Sequence, residues 1–431
     1  MKRLALVFLL LLSLVSGSFA QQGMGPGPGL GQPPGGGGGG STLSAKAGSF
    51  AEAVSTGNQS VTGVGFQPKL VLFWWNRRAS DGTSADNEVG FGVGISSSAR
   101  RAVGYKSVDA SNPSNNSPVN QTTTCIYYAQ GGAGKADFVS QDSDGFTINW
   151  SAVTGGGFLI NYLALGGSSL TNTSVGTVTT PGSTGNQATT GLGYSPTALM
   201  FFAGKMSAND PLDGNTNGSF VMGMGTGSSA QGWSGERSKN NVSPQVAKHR
   251  QSTANIIGST GDTSVGSQAS LTSLDSDGFT LNFGTVSGSS DIAYYLAMRG
   301  PHVKVGNFNQ ATTTGNSAIT GVGFTPKALL LLSANDTSAN NDATLAHAQI
   351  SFGAATSSSA RLPVAGESDA VSTTAAERNL DRTKIIKLFS AGTPTLNAAA
   401  DLVSFDSDGF TLNWTTADAT ARQIIYLAIG D

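Results

Sequence analysis

One cysteine, Cys125, occurs in 431 residues, which excludes an internal disulfide and leaves burial and backbone pairing to hold the fold. Charge is scarce too: Asp, Glu, Lys and Arg make up 12% of the chain, about half the roughly 25% of an ordinary globular protein. With a net charge of −2 there is no concentrated basic face, which argues against nucleic acid as a partner. The three histidines, His249, His302 and His347, do not recur at matching places in the repeats described below. Neither a Gly-x-Ser-x-Gly elbow nor a His-Glu-x-x-His pair is present, so the commonest nucleophile and zinc-hydrolase signatures are missing. No apolar run approaches the ~20 residues that span a bilayer. No stretch shows a convincing amphipathic helical period.

Gly, Ser, Thr, Asn and Ala take the place of the missing charge. The 59 glycines are close to double the ordinary frequency of about 7%, a composition suited to short strands and many turns. The first twenty residues read as a secretory signal peptide. Lys2 and Arg3 precede the apolar run Leu4–Leu12, and Ser18-Phe19-Ala20 places small residues at a cleavage site. Residues 21–44 hold Pro26, Pro28, Pro33, Pro34 and the unbroken Gly35–Gly40, a flexible linker that cannot bury a core. The expected destination is therefore outside the cell or on its surface, with no membrane span.

The body of the chain is organised by Asp-Ser-Asp-Gly-Phe, spelled at Asp142–Phe146, Asp275–Phe279 and Asp406–Phe410. Alternating apolar residues follow each copy, as in Phe146, Ile148 and Trp150. A period of two marks a half-buried strand, and Asp-Gly before it marks a hairpin. Other landmarks recur with the same spacing. Gly65-Phe66-Gln67-Pro68, Gly193-Tyr194-Ser195-Pro196 and Gly323-Phe324-Thr325-Pro326 each precede an apolar run, and Tyr162, Tyr295 and Tyr426 each open a closing Tyr-Leu-Ala strand. The period is near 130 residues, the size of a whole domain rather than of a solenoid repeat. The expected units are 45–167, 168–300 and 301–431: an all-β chain of three tandem homologous antiparallel β-sandwich, jelly-roll-like domains. Cys125 corresponds to Asn255 and Lys384; a position that accepts an amide or an ammonium reads as neither a core slot nor a catalytic thiol.

One feature fits that plan poorly. Leu70–Trp75, Ala198–Ala203 and Ala328–Leu332 are continuous apolar runs, as for strands buried on both faces, whereas the outer faces of a two-layer sandwich are wet. Loops, neighbouring domains or other subunits must cover them, which points to assembly, as a homo-oligomer or polymer.

Gly-Phe-x-Pro-Lys, Ser-Phe-Asp-Ser-Asp-Gly-Phe-Thr-Leu-Asn and a closing Tyr-Leu-Ala strand, clearest at Gly323–Lys327, Ser404–Asn413 and Tyr426–Gly430, resemble a repeat of bacteriophage tail-fibre-like proteins. The resemblance covers the two ends of each repeat and not its middle. It implies a lectin-like β-sandwich used in surface attachment, and it carries over no catalytic residue. The secretory leader departs from that pattern and implies a cell-encoded, exported relative.

Candidate sites are few. The pairs Asp142 with Asp144, Asp275 with Asp277 and Asp406 with Asp408 resemble the start of a calcium loop. A calcium site wants six to eight oxygens, and the same residues serve a hairpin turn for backbone reasons alone. For glycoside hydrolysis, which needs paired carboxyls, the candidates are Glu236 and Glu367, each after a Gly, with Tyr105 at that place in the first repeat. For ligand binding, Trp75, Asn76 and Arg77 end the first buried strand. Trp74 and Trp75 must point to opposite faces, so an exposed ring beside Arg and Asn would suit a sugar. Trp233, in a Gly/Ser-rich loop, is a second such ring; the alternative is that these tryptophans are core, covered by a loop or a neighbour. The expectation is a secreted, non-enzymatic protein that attaches to a glycan or cell-surface component. The alternatives are a self-assembling subunit of an extracellular filament or surface layer, and a secreted polysaccharide-active enzyme. No cofactor is implied beyond the calcium option.

Overall fold

Each repeat lays its strands into two antiparallel sheets, and the same order recurs three times. In the first repeat one sheet runs Leu43–Ala51, Leu159–Gly167, Pro68–Trp75, Asn87–Gly94, Arg100–Ser107 and Asn116–Gln121. The other runs Gly57–Thr62, Gly145–Ala152, Lys135–Asp142 and Ile126–Tyr127. This is a computed structural model, which describes residues 42–129, 132–209, 217–390 and 395–431. The leader expected over residues 1–20 and nearly all of the linker expected over 21–44 lie outside these. Among the described residues one short 3₁₀ turn, Ser338–Asn340, is the only helical element, so the all-β expectation holds.

The doubly buried strands have a simple cause. Along Pro68–Trp75, Leu70, Leu72 and Trp74 point into one hydrophobic cluster, and Val71, Phe73 and Trp75 into another. The second cluster is the first repeat's own, shared by its two sheets. The first cluster is common to all three repeats: Ala198, Met200 and Phe202 enter it from the second, and Ala328, Leu330 and Leu332 from the third. The larger sheets therefore cover one another's faces. The assembly foreshadowed by the sequence takes place within a single chain, and residues Ser41–Asp431 make one compact unit. Aromatic rings from different repeats meet in this centre, Phe91 with Phe202 at 5.1 Å and Phe220 with Phe352 at 5.6 Å. The Trp74 indole N–H donates across the seam to the Leu362 carbonyl at 3.0 Å.

Strands also cross between repeats. Gly82–Ala85 of the first repeat pairs with Ala376–Leu380 at the edge of the third repeat's large sheet. Leu345–Ala346 of the third pairs with Ala247–Ser252 at the edge of the second's. The matching stretch of the second repeat falls at residues 210–216, outside the described residues.

The Asp-Ser-Asp-Gly-Phe turns close the hairpins between Lys135–Asp142 and Gly145–Ala152 and their counterparts. Gly145, Gly278 and Gly409 have φ of 149°, 149° and 152°. A Cβ on Gly145 would lie 1.9 Å from the Val61 carbonyl oxygen, so only glycine fits. The following Phe146, Phe279 and Phe410 are fully buried.

Cys125 corrects the sequence reading. It is fully buried in the first repeat's core, with its thiol donating to the Ala136 carbonyl at 3.4 Å. Burial pushes the thiol's pKa up, which leaves it a small hydrophobe.

Candidate ligand cleft

The six turn aspartates each accept protein donors, three from flanking hydroxyls and three from a loop about 80 residues earlier in the chain. Asp144 accepts backbone N–H bonds from Gly63 and Gly65 at 3.0 and 2.6 Å, and Asp277 and Asp408 do the same with Gly191 and Gly193 and with Gly321 and Gly323. Asp142 accepts from the Ser140 and Thr147 hydroxyls, both at 2.7 Å. Asp275 and Asp406 repeat the arrangement with Ser273 and Thr280 and with Ser404 and Thr411. The Gly65 and Gly63 amides hold the Asp144 carboxyl below its usual range, and Gly321 and Gly323 do so for Asp408. Each carboxylate accepts two protein donors, which a calcium ion at the turn would have to displace or share with.

Glu236 and Glu367 do not occupy equivalent positions. The Gly-Glu dipeptides suggest that they correspond, but the frame that counts is set by Ser107, Ser238 and Ser368, each nine residues after Ser98, Ser229 and Ser359. In that frame Glu236 matches Tyr105 and Gly366, and Glu367 matches Lys106 and Arg237. A one-residue slip in a strand exchanges faces. Glu236 lies three residues beyond Trp233, which faces its repeat's own core, so Glu236 points toward the common centre. Glu367 lies three residues beyond Val364, which faces the centre, so it points away. Both are buried, Glu236 accepting from Asn87 Nδ2 at 2.9 Å. Burial raises the Glu236 pKa well above the ordinary carboxylate value. Burial, with Asp369 and Glu377 nearby, pushes that of Glu367 up to about 9.

The exposed-tryptophan reading is also corrected. Trp75 and Trp233 are both 0% exposed, because each face of their strands meets a core. Trp75 packs near Tyr128, with ring centroids 6.3 Å apart. Asn76 is buried too, donating to the Asn379 carbonyl at 2.7 Å. Arg77 pairs with buried Glu88 at 3.0 Å and spreads its guanidinium over Phe158 and Tyr128, 5.0 and 5.6 Å from their centroids. None of these four side chains offers a free surface to a ligand.

The same position looks different in the other repeats. Arg77, Lys205 and Asn335 share a left-handed backbone, with φ of 51°, 55° and 56°, which fixes their correspondence. In the first repeat Trp75, Arg77, Tyr128 and Phe158 fill the end of the space between the two sheets. The third has Ser333, Asn335, Lys387 and Arg422 there and closes it with hydrogen bonds: Ser333 Oγ to the Gln423 carbonyl at 2.8 Å, Asn335 Nδ2 to the Phe389 carbonyl at 2.6 Å, and an Arg422 guanidinium N–H to the Asn335 carbonyl at 3.2 Å. In the second repeat the counterparts are Ala203, Lys205, Gly258 and Asp291, and a cleft stands open, with about 470 Å³ of empty space counted out to its mouth. Trp233 explains Gly258: a Cβ there would lie 2.2 Å from the indole.

The cleft has an apolar floor, including Val178, Phe201, Ala203, Val221, Ala269 and Phe283, and a polar mouth of Thr180, Lys205, Ser259, Ser267, Gln268 and Asp291. Burial, and next Arg237, lower the pKa of Lys205. Among the described residues no hydrogen bond or close ion pair reaches its ammonium, and Asp291 and Asp262 are the opposite charges that act on it. Sequence reasoning singled out this position in the first repeat, where it is filled, and not in the second, where it is open. The signal it lacked was the joint loss of volume at Trp75, Tyr128 and Phe158 on passing to the second repeat.

The chain matches no protein-family model and no curated protein. Among solved structures it aligns with an anion-selective porin from Comamonas acidovorans at 9% identity, over 90% of this chain and 98% of that one, with a TM-score of 0.10. So poor a superposition transfers neither fold nor function. Among the described residues no helix is long and apolar enough to cross a membrane.

Proposed function

We propose that the chain is a secreted, non-enzymatic attachment protein that binds a glycan or another cell-surface component. On this reading each repeat is a β-sandwich of the kind the tail-fibre-like resemblance implies, and the three are fused through a common core. A single compact body results. The observation that carries the proposal is the cleft of the second repeat, open at the position that the first repeat plugs with aromatic rings and the third with hydrogen bonds. A half-buried ammonium that no described residue hydrogen-bonds, with Asp291 and Asp262 as its nearby opposite charges, over an apolar floor matches the make-up of small-molecule sites. Glu236 and Glu367 occupy non-equivalent strand positions and are both buried, and neither lines this cleft, which favours the binding reading over a paired-carboxylate hydrolase. A glycan array with the mature protein tests the proposal: selective binding to a subset of sugars is expected, and silence across all of them counts against it.

A self-assembling extracellular subunit is the second reading, and one observation favours it. Gly57–Thr62, Gly185–Thr190 and Gly315–Thr320 are edge strands of the smaller sheets and contain no charge and no proline. Those are the usual devices that keep a sheet edge from pairing with another chain. Size-exclusion chromatography with negative-stain microscopy decides the point: a monodisperse monomer removes this reading.

A further inference from the structure

The cleft is specific enough in its chemistry to name a ligand group. Its floor is aliphatic and aromatic, and its closed interior has room for about three water-sized groups, too few for a sugar ring. Of the six polar residues at the mouth, two are charged, a donor and an acceptor of opposite sign, beside the neutral Thr180, Ser259, Ser267 and Gln268. Lys205 Nζ is a donor that no described residue uses. Asp291 receives the Ser289 hydroxyl on Oδ2 at 3.0 Å and keeps Oδ1 free of protein donors among the described residues. An apolar group of one or two heavy atoms, followed at once by an acceptor and a donor, describes an acetamido group: a methyl for the floor, a carbonyl oxygen for Lys205 and an amide N–H for Asp291.

We infer that the second repeat's cleft is a subsite for the N-acetyl substituent of an amino sugar, which rests on the attachment reading above. A free amine in its place brings a positive charge toward Lys205 and leaves the floor empty. A plain hydroxyl reaches neither floor nor both mouth groups. The first and third repeats cannot share the specificity. Their counterparts of Asp291 are Phe158 and Arg422, and their counterparts of Ala203 are Trp75 and Ser333. Their space is already taken by the stacked and hydrogen-bonded side chains. One molecule therefore carries one such subsite.

Val221 and Ala203 lie side by side where the first repeat has Gly90 and Trp75. A Cβ on Gly90 would lie 2.2 Å from the Trp75 ring, so glycine and tryptophan go together. The double substitution Ala203→Trp with Val221→Gly thus plugs the cleft with a pair the fold already tolerates. Lys205→Met is a second variant that removes the donor and keeps the stem.

Saturation-transfer NMR and calorimetric titration of the mature protein with N-acetylglucosamine, glucosamine and glucose provide the test. The expected result is millimolar binding of N-acetylglucosamine with strongest transfer to the acetyl methyl. Glucosamine and glucose should bind at least about tenfold more weakly, a difference of roughly 1.4 kcal/mol. Both the plugged variant and Lys205→Met should lose that binding while retaining the parent melting temperature within a few degrees. Equal binding of all three sugars, no binding of N-acetylglucosamine, or full binding by the plugged variant overturns the inference. A glycan array keeps the two claims apart. If the parent and the plugged variant bind the same sugars there, the attachment reading stands and the acetamido subsite falls.

Discussion

The indole of Trp75 lies so close over Gly90 that a methyl group on that glycine would come within 2.2 Å of the ring. The matching pair in the second repeat, Ala203 and Val221, reverses the sizes without restoring the volume. Gly90→Val should therefore destabilise the protein by about 1–3 kcal/mol through overpacking. Ala203→Trp alone should cost a similar amount, and adding Val221→Gly should recover most of it. Thermal denaturation of the parent, Ala203→Trp, Val221→Gly and the double variant measures the coupling; additive losses would contradict the correspondence.

Glu367 gives a pH dependence with a definite sign. Its carboxyl is pushed up to about 9 in the folded protein, against 4.5 as the ordinary value. The unfolded chain therefore releases this proton first, and the folded state loses up to about 1.4 kcal/mol per pH unit as pH rises from near 4.5 toward 9. Glu367→Gln should leave stability unchanged at pH 4.5 and raise the melting temperature at pH 8. A variant that melts lower than the parent at both pH values would contradict this account.

For the turns, Asp144→Ala removes the acceptor of two backbone amides and should lower the melting temperature. Because the Asp144 carboxyl is held below its usual range by the Gly65 and Gly63 amides, its contribution is present above the unfolded pKa. It is lost as pH falls through the folded one, so the parent and Asp144→Ala should converge in melting temperature in strong acid. Millimolar calcium should leave the parent's melting temperature where it is, and a rise of several degrees would restore the calcium reading.

The common core makes the repeats interdependent. Leu330, Leu332 and Phe352 of the third repeat pack into the cluster that also holds Trp74, Phe91 and Phe202. A chain ending at Gly300 should lose that cover, expose a large apolar face and aggregate or melt without cooperativity. Calorimetry of the intact chain should show one transition. Three separate transitions, or a well-folded two-repeat fragment, would contradict a shared core.

Much of this architecture could be read from local residues. Asp-Ser-Asp-Gly-Phe determines its hairpin because Gly145 alone fits the turn and Phe146 follows on the buried side. The continuous run Leu70–Trp75 correctly demanded cover on both faces. What covers it was not legible, since the partner strands lie more than a hundred residues away. Trp75 illustrates the limit: its neighbour Trp74 must face the other way, but with a core on each side neither is exposed. Glu236 and Glu367 show another limit, because a shared Gly-Glu spelling concealed a one-residue offset that turns the two to opposite faces. The cleft was the least legible feature of all. It arises from small residues on four strands or loops, Ala203, Gly258, Asp291 and Val178, none of which announces a site by itself.

The central claim is that the second repeat's cleft is where the protein engages a surface glycan. A glycan array read with the mature protein and with the Ala203→Trp, Val221→Gly variant side by side tests it most directly. The parent should bind selectively, and the variant should lose that binding at an unchanged melting temperature. Identical array profiles for the two, or silence from both while filaments form, would contradict it.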